Sequence, residues 1–167
     1  MVDFTTHRDL FICHASVDKE KYVHPFIHEI RRLGITYWID EEEIESDDNI
    51  FMKINEGLRN SKYVIVFLSE AFIGKNWVET ELASAFSKEN ANGEKVVLPI
   101  IIGDSEVIFR QYPLLRGKRC IFWGEGASSI AAKIKAMLNR SNSTASVFIS
   151  FSTLKENSLR EILSYFD

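Results

Sequence analysis

Tyr63-Val64-Ile65-Val66-Phe67-Leu68-Ser69 is the stretch on which the fold turns. An apolar run stopped by a serine is too short for a helix and too uniform for a strand with one face in water. It reads as a strand buried on both faces, and such strands belong to parallel sheets covered by helices. Eight residues past this run the chain continues Asn76-Trp77-Val78-Glu79-Thr80-Glu81-Leu82, a helix start that carries an aromatic and a carboxylate.

Outward from this run, strand-like and helix-like segments alternate. Asp9-Leu10-Phe11-Ile12-Cys13 is a short apolar strand that breaks at His14-Ala15-Ser16. From Lys19 to Leu33, Tyr22, Val23, Phe26, Ile27, Ile30 and Leu33 share one helical face. Pro25 has no N–H to donate, so that helix is expected to be irregular there or to begin close to it. Gly34 ends it. Ile35-Thr36-Tyr37-Trp38-Ile39 is a second strand, residues 40–49 an acidic loop, and Ile50, Ile54 and Leu58 mark a helix reaching about Asn60.

Downstream, Asn76 and Glu79 form a capping box, with Val78, Leu82, Ala85 and Phe86 as the core stripe and Asn92-Gly93 as the end of the helix. Residues 96–102 are a fourth strand, in which Pro99 hints at an edge-proximal or bulged position. Residues 108–115 read as irregular chain or a short helix, and Cys120-Ile121-Phe122-Trp123 as a short fifth strand. Residues 128–138 are a last helix, with Ile130, Ile134, Met137 and Leu138 facing inward. The economical topology is an α/β, flavodoxin-like, doubly wound five-stranded parallel sheet of order 2-1-3-4-5.

The tail differs. Arg140-Ser141-Asn142-Ser143-Thr144-Ala145-Ser146 is polar and small, and reads as a linker. Val147-Phe148-Ile149-Ser150-Phe151 follows, then a capping box at Thr153 and Glu156 with Leu159, Ile162, Leu163 and Phe166 at helical spacing. Residues 7–140 are thus expected to be one domain. Residues 141–167 would be a linker and amphipathic helix, either the start of a second helical module or a helix docking on the first.

At 167 residues and 46% hydrophobic, the chain can bury a full core. A net charge of −4 does not suggest electrostatic binding to nucleic acid. No apolar run approaches the roughly 20 residues of a membrane span, and the N-terminus lacks the basic and apolar regions of a signal peptide. Cys13 and Cys120 each lie in an apolar strand pattern and read as free buried thiols. A cytoplasmic protein is the expectation.

For chemistry, the Trp77–Glu81 pair comes first. Residues at i and i+4 share a helix face, and ligands of parallel α/β sheets bind outside the carboxyl ends of the strands. Glu79 has a structural role in the capping box and Glu81 has none. A solvated helix glutamate and a functional carboxylate are both open on spacing alone. Asp40, Glu41, Glu42, Glu43, Glu45, Asp47 and Asp48 crowd the exit of the second strand, without the spacing of a Ca²⁺ loop and without His or Cys. They read as solvated, and no metal site is expected. No glycine-rich phosphate loop and no G-x-S-x-G elbow occurs. Of the histidines, His14 alone follows a strand, within reach of that edge.

Taken together, four ordered motifs resemble the Toll/interleukin-1 receptor (TIR) domain. Asp9-Leu10-Phe11-Ile12-Cys13-His14-Ala15-Ser16 with Asp18 is similar to its first box. Trp38-Ile39-Asp40 and the acidic loop resemble its second strand and BB loop. Gly57-Leu58-Arg59-Asn60-Ser61 leading into the 63–69 run resembles its third-strand signature, and Trp77 to Glu81 matches W-x-x-x-E. The likeness covers about residues 7–140 and looks closest to bacterial TIR proteins that cleave NAD⁺, commonly in defence against phage.

That resemblance implies Glu81 as the catalytic acid and Trp77 as a stacking wall. It implies His14, Ala15 and Ser16 against the ribose and phosphate region, and Asp40, Glu45 and Asn49 framing the pocket. NAD⁺ would be substrate rather than cofactor. Self-association through TIR–TIR contacts including the BB loop, and a C-terminal effector or sensor module, are the implied partnerships. Asp47 stands where the family often has a BB-loop glycine, and aspartate tolerates positive φ less well than glycine, which bears on the loop geometry and on any assembly through it. The alternative is a non-enzymatic TIR adaptor. A response-regulator or flavodoxin reading shares the sheet order, but the third strand ends in Ser69 rather than a phosphoacceptor Asp.

Overall fold

The computed structural model describes residues 7–39, 50–74, 79–89 and 93–143. The chain separates into two compact units, residues 1–132 and 133–167. The first holds a five-stranded sheet of β1 (Arg8–Cys13), β2 (Tyr37–Ile39), β3 (Ser61–Leu68), β4 (Val97–Ile101) and β5 (Ile121–Phe122). Its order is β2-β1-β3-β4-β5, and every pairing is parallel. The order and direction expected from the sequence are therefore those found.

The helices of the first unit are α1 (His24–Arg32), α2 (Ile50–Asn60), α3 (Glu70–Ile73), α4 (Glu79–Ala85) and α5 (Ser105–Gln111). Val64 and Phe67 lie three positions apart on β3 and so point to opposite faces of the sheet. Phe26 of α1 packs edge-on to Phe67, with ring centroids 5.6 Å apart. On the other face, a Cβ placed on Gly57 of α2 would come within 3.0 Å of Val64 Cγ2. Helices thus cover both faces, and Tyr63 through Leu68 are all buried, as the uniform apolar run requires.

Several boundaries moved, each for a local reason. A tight turn (Ser16–Asp18) and a wide π turn (Lys19–Val23) precede α1, which places Pro25 in the first turn of the regular helix, where its missing N–H costs nothing. At the other end of α1, Gly34 has φ +68° and its N–H donates to Arg31 O, while Ile35 N–H donates to Ile30 O. Thr36 N–H then donates to Asp9 Oδ2 at 2.9 Å. With both amides spent, β2 begins at Tyr37 rather than Ile35.

Pro99 lies in register with Val66 of β3, and pairing to β5 starts one residue later, at Ile100 with Ile121. The edge-proximal expectation holds. Residues 108–115 are the end of α5 and a 3₁₀ turn, Pro113–Gly117. The helix expected to run to Asn92-Gly93 closes at Ala85, because Ser87 and Lys88 N–H groups reach back only three residues and Ser87 Oγ donates to Ala83 O.

The last helix, α6, spans residues 127–143. Ile130, Ile134, Met137 and Leu138 are buried. The polar run read as a linker from Arg140 starts inside this helix, where Ser143 Oγ donates to Asn139 O at 2.9 Å. The strand and capping box expected beyond Thr144 lie outside the described residues. Among the described residues no helix is long and apolar enough to cross a membrane. Neither Cys13 nor Cys120 is disulfide-bonded among the described residues; the first is buried and the second half-buried. Burial pushes the Cys120 thiol up to about 11.

Candidate functional site

The carboxyl ends of β1 and β3 are neighbours in the sheet, with Cys13 in register with Val66. The chain leaves β1 as His14-Ala15-Ser16-Val17-Asp18 and leaves β3 as Ser69. His14, Asp18 and Ser69 are buried, whereas Ser16 and Val17 face solvent. His14 Nδ1 lies 2.9 Å from Ala15 O. A carbonyl can only accept, so the contact needs the proton on Nδ1, and in the neutral ring Nε2 then carries the lone pair. Nε2 is buried and has no hydrogen-bond partner among the described residues. Buried polar atoms are rarely left unpaired, and this nitrogen can accept a hydrogen bond from a hydroxyl.

Asp18 and Ser69 knit the two strand exits together. Ser69 Oγ accepts the Phe72 amide at 3.1 Å, capping α3, and donates its own proton to Asp18 Oδ2 at 2.5 Å. Burial pushes the Asp18 carboxyl above its ordinary range, and the Ser69 hydrogen bond and the nearby His14 pull only partly against it.

Ile73 and Glu79 both bond to the end of α5 and the turn that follows it. Ile73 O receives Gln111 Nε2 at 3.1 Å and Tyr112 Oη at 3.3 Å. Glu79 Oε1 receives the Leu114 amide at 2.8 Å. Glu79 was expected to reach back to its own cap at Asn76, and Asn76 lies outside the described residues. The Oε1 contact ties the start of α4 to the turn after α5. Glu81 sits within α4, one position before the buried Leu82.

Of the residues singled out in the sequence, His14, Ala15 and Ser16 stand together at the end of β1, two buried and one exposed. Asp40, Glu45, Asn49 and Trp77 lie outside the described residues, as does the acidic loop, and for Glu81 only the helix is described. Asp18 and Ser69 were not read as site residues. The signal for Ser69 was a serine directly after a strand and before Glu70-Ala71-Phe72, the pattern of a helix N-cap.

The TIR domain family model matches residues 10–138. The chain belongs to the TIR domain family. It is 41% identical over 95 residues to an NAD(+) hydrolase, TcpC, of Escherichia coli O6:H1, covering 57% of this TIR chain and 31% of that protein. It is 47% identical over 92 residues to a 2' cyclic ADP-D-ribose synthase, AbTIR, of Acinetobacter baumannii, covering 55% and 34%. The chain thus spans about a third of the length of these curated relatives. Among solved structures, a metazoan TIR-STING receptor from C. gigas superposes with a TM-score of 0.53 at 17% identity, covering 80% of this chain and 40% of that one. At that identity the likeness speaks for the fold.

Proposed function

We propose that this TIR domain cleaves the nicotinamide–ribose bond of NAD⁺, with Glu81 as the catalytic carboxylate. One observation carries the reading: the regions shared at 41% and 47% identity belong to proteins named NAD(+) hydrolase and 2' cyclic ADP-D-ribose synthase. The buried, unpartnered Nε2 of His14 at the carboxyl end of β1 supports it, since parallel sheets bind ligands at that edge.

The chemistry needs little from the protein. Nicotinamide leaves NAD⁺ as a neutral molecule from a cationic ring, so no general acid is required. Departure builds positive oxocarbenium character on the ribose. One carboxylate beside the ribose stabilises that charge, and Glu81 fills that role. Trp77 is the stacking wall. The Nε2 of His14 accepts a hydrogen bond from a sugar hydroxyl, with Ala15 and Ser16 alongside, while Asp40, Glu45 and Asn49 frame the opening. Water capture gives ADP-ribose, and capture by a group of the same molecule gives a cyclic isomer. NAD⁺ is the substrate, and no separate cofactor takes part.

In this reading residues 7–140 form the catalytic domain in the cytoplasm. It assembles with other copies through TIR–TIR contacts that include the BB loop, and serves anti-phage signalling with a C-terminal effector or sensor module. The test is chromatography of NAD⁺ incubated with concentrated wild-type and Glu81→Ala protein. The wild type should release nicotinamide, and the variant should be slower by about 100-fold or more, the worth of a lost transition-state electrostatic contact. A variant as fast as wild type removes Glu81 from the chemistry. Wild-type protein that stays silent even when crowded supports the adaptor instead.

A further inference from the structure

We infer that Asp18 and Ser69 are a positioning pair for the NAD⁺ site, one hydrogen bond that holds the His14-Ala15-Ser16 turn against the exit of β3. The inference rests on the proposed NAD⁺ cleavage and adds two residues to it.

Three observations carry it. First, the bond is short and directional. The Phe72 amide occupies a lone pair of Ser69 Oγ at 3.1 Å, so the one hydroxyl proton goes to Asp18 Oδ2 at 2.5 Å. Second, both partners are buried, at 5% exposure each, which is costly for an aspartate and unneeded for closing a surface turn. Third, the bond joins what the covalent chain keeps apart. Asp18 ends the turn that begins at His14, and Ser69 caps α3, from which the chain runs on in sequence to Trp77 and Glu81.

The ladder between β1 and β3 ends at Cys13 and Val66. Past that point the described backbone has no strand pairing to set the spacing of the two exits. The Asp18–Ser69 bond does this, and it steadies His14, whose buried Nε2 has no partner among the described residues. Asp18 acts through His14 and not on the substrate. A displacement of about 1 Å at a reacting centre costs about 100-fold in rate, so a loosened turn should be read in turnover.

The experiment measures kcat and KM for NAD⁺ with the 167-residue chain under crowding, at a temperature where circular dichroism shows each variant folded. Asp18→Ala and Ser69→Ala should each lower kcat by about 10- to 100-fold, with KM moving less than about threefold. Asp18→Asn keeps an oxygen that accepts from Ser69 and should restore most of the lost kcat. Ser69→Ala breaks the same bond from the other side and gives the answer if Asp18→Ala does not fold. Glu81→Ala, run in parallel, separates the two levels. If Glu81→Ala is inactive while Asp18→Ala and Ser69→Ala turn over like wild type, the pair is structural only and the inference falls. It falls equally if Asp18→Asn is as slow as Asp18→Ala. If Glu81→Ala is fully active, or wild type is silent, the NAD⁺ reading falls and the pair's role with it.

Discussion

Asp9 and Asp18 are withdrawn from water at opposite ends of one strand, yet their carboxyls shift in opposite directions. Burial dominates at Asp18 and raises it; at Asp9 burial also opposes the charge, but Thr36 and Lys62 outweigh it and hold the carboxyl below its ordinary range. For Asp18 the sign is that of a destabilising charge. A folded-state carboxyl raised above 3.8 means that stability falls as pH rises from 3.8 through the folded value, and stays low above it. Asp18→Asn, which removes the charge and keeps the acceptor, should melt above wild type at pH 7, and the gap should close as the pH falls below the ordinary range. Thermal melts across that window check it; a gap that widens toward acid contradicts the burial argument. At this scale what was legible is local: the serine directly after β3 marks the cap of α3, while Glu81 and His14 enter the site as proposals. The Asp18–Ser69 bond was not legible, because its partners are 51 residues apart and meet only through the pairing of β1 with β3.

Among the elements, α2 packs directly on the sheet at Gly57. A Cβ there would lie 2.5 Å from Phe11 Cδ1 and 2.8 Å from Phe11 Cγ. Alanine is the better helix former by about 1 kcal/mol, so propensity alone favours Gly57→Ala. Overpacking against the half-buried Phe11 ring costs about 1–3 kcal/mol and should prevail. Gly57→Ala is therefore expected to lower the urea midpoint, and a raised midpoint would mean that Phe11 rotates aside freely. Element identity was legible from period and length: the uniform run of β3, the one-sided stripe of α1 and the Pro25 entry all reappear. Boundaries were not, where tertiary partners claim the amides. Asp9 takes the Thr36 amide and delays β2, and back-bonding at Ser87 stops α4. The single turn of α3 is too short to leave any periodic trace, and only its Ser69 cap announced it.

Over the whole molecule, the two ends of the sheet divide their labour. The amino end is tied by Asp9, whose Oδ2 accepts both Thr36 N and Thr36 Oγ1 at 2.9 Å and whose Oδ1 accepts Lys62 Nζ at 3.0 Å. One carboxylate thus joins the starts of β1 and β3 to the approach of β2. The carboxyl end carries the proposed site. Because the Asp9 carboxyl is depressed, its contribution is present above the unfolded value near 3.8 and is lost as pH falls through the folded one. Asp9→Asn should cost about 1.5–3 kcal/mol at pH 7, the worth of a hydrogen bond to a charged group, and flatten the acid limb of the stability profile. It should leave kcat and KM for NAD⁺ where they were, and a loss of turnover in folded protein would refute the division. Order and direction of the five strands followed from the alternation of patterns, since parallel strands need crossovers and short right-handed ones leave few arrangements. The packing of rings across those strands has an optical consequence. Trp123 lies edge-on to Tyr22, centroids 5.4 Å apart, and 6.1 Å from Phe67. Tyr22 belongs to the π turn that directly follows Asp18. The Trp123 indole is therefore a built-in fluorophore for the turn behind β1, and once Trp38 and Trp77 are replaced by phenylalanine its emission reports when that turn tightens or loosens.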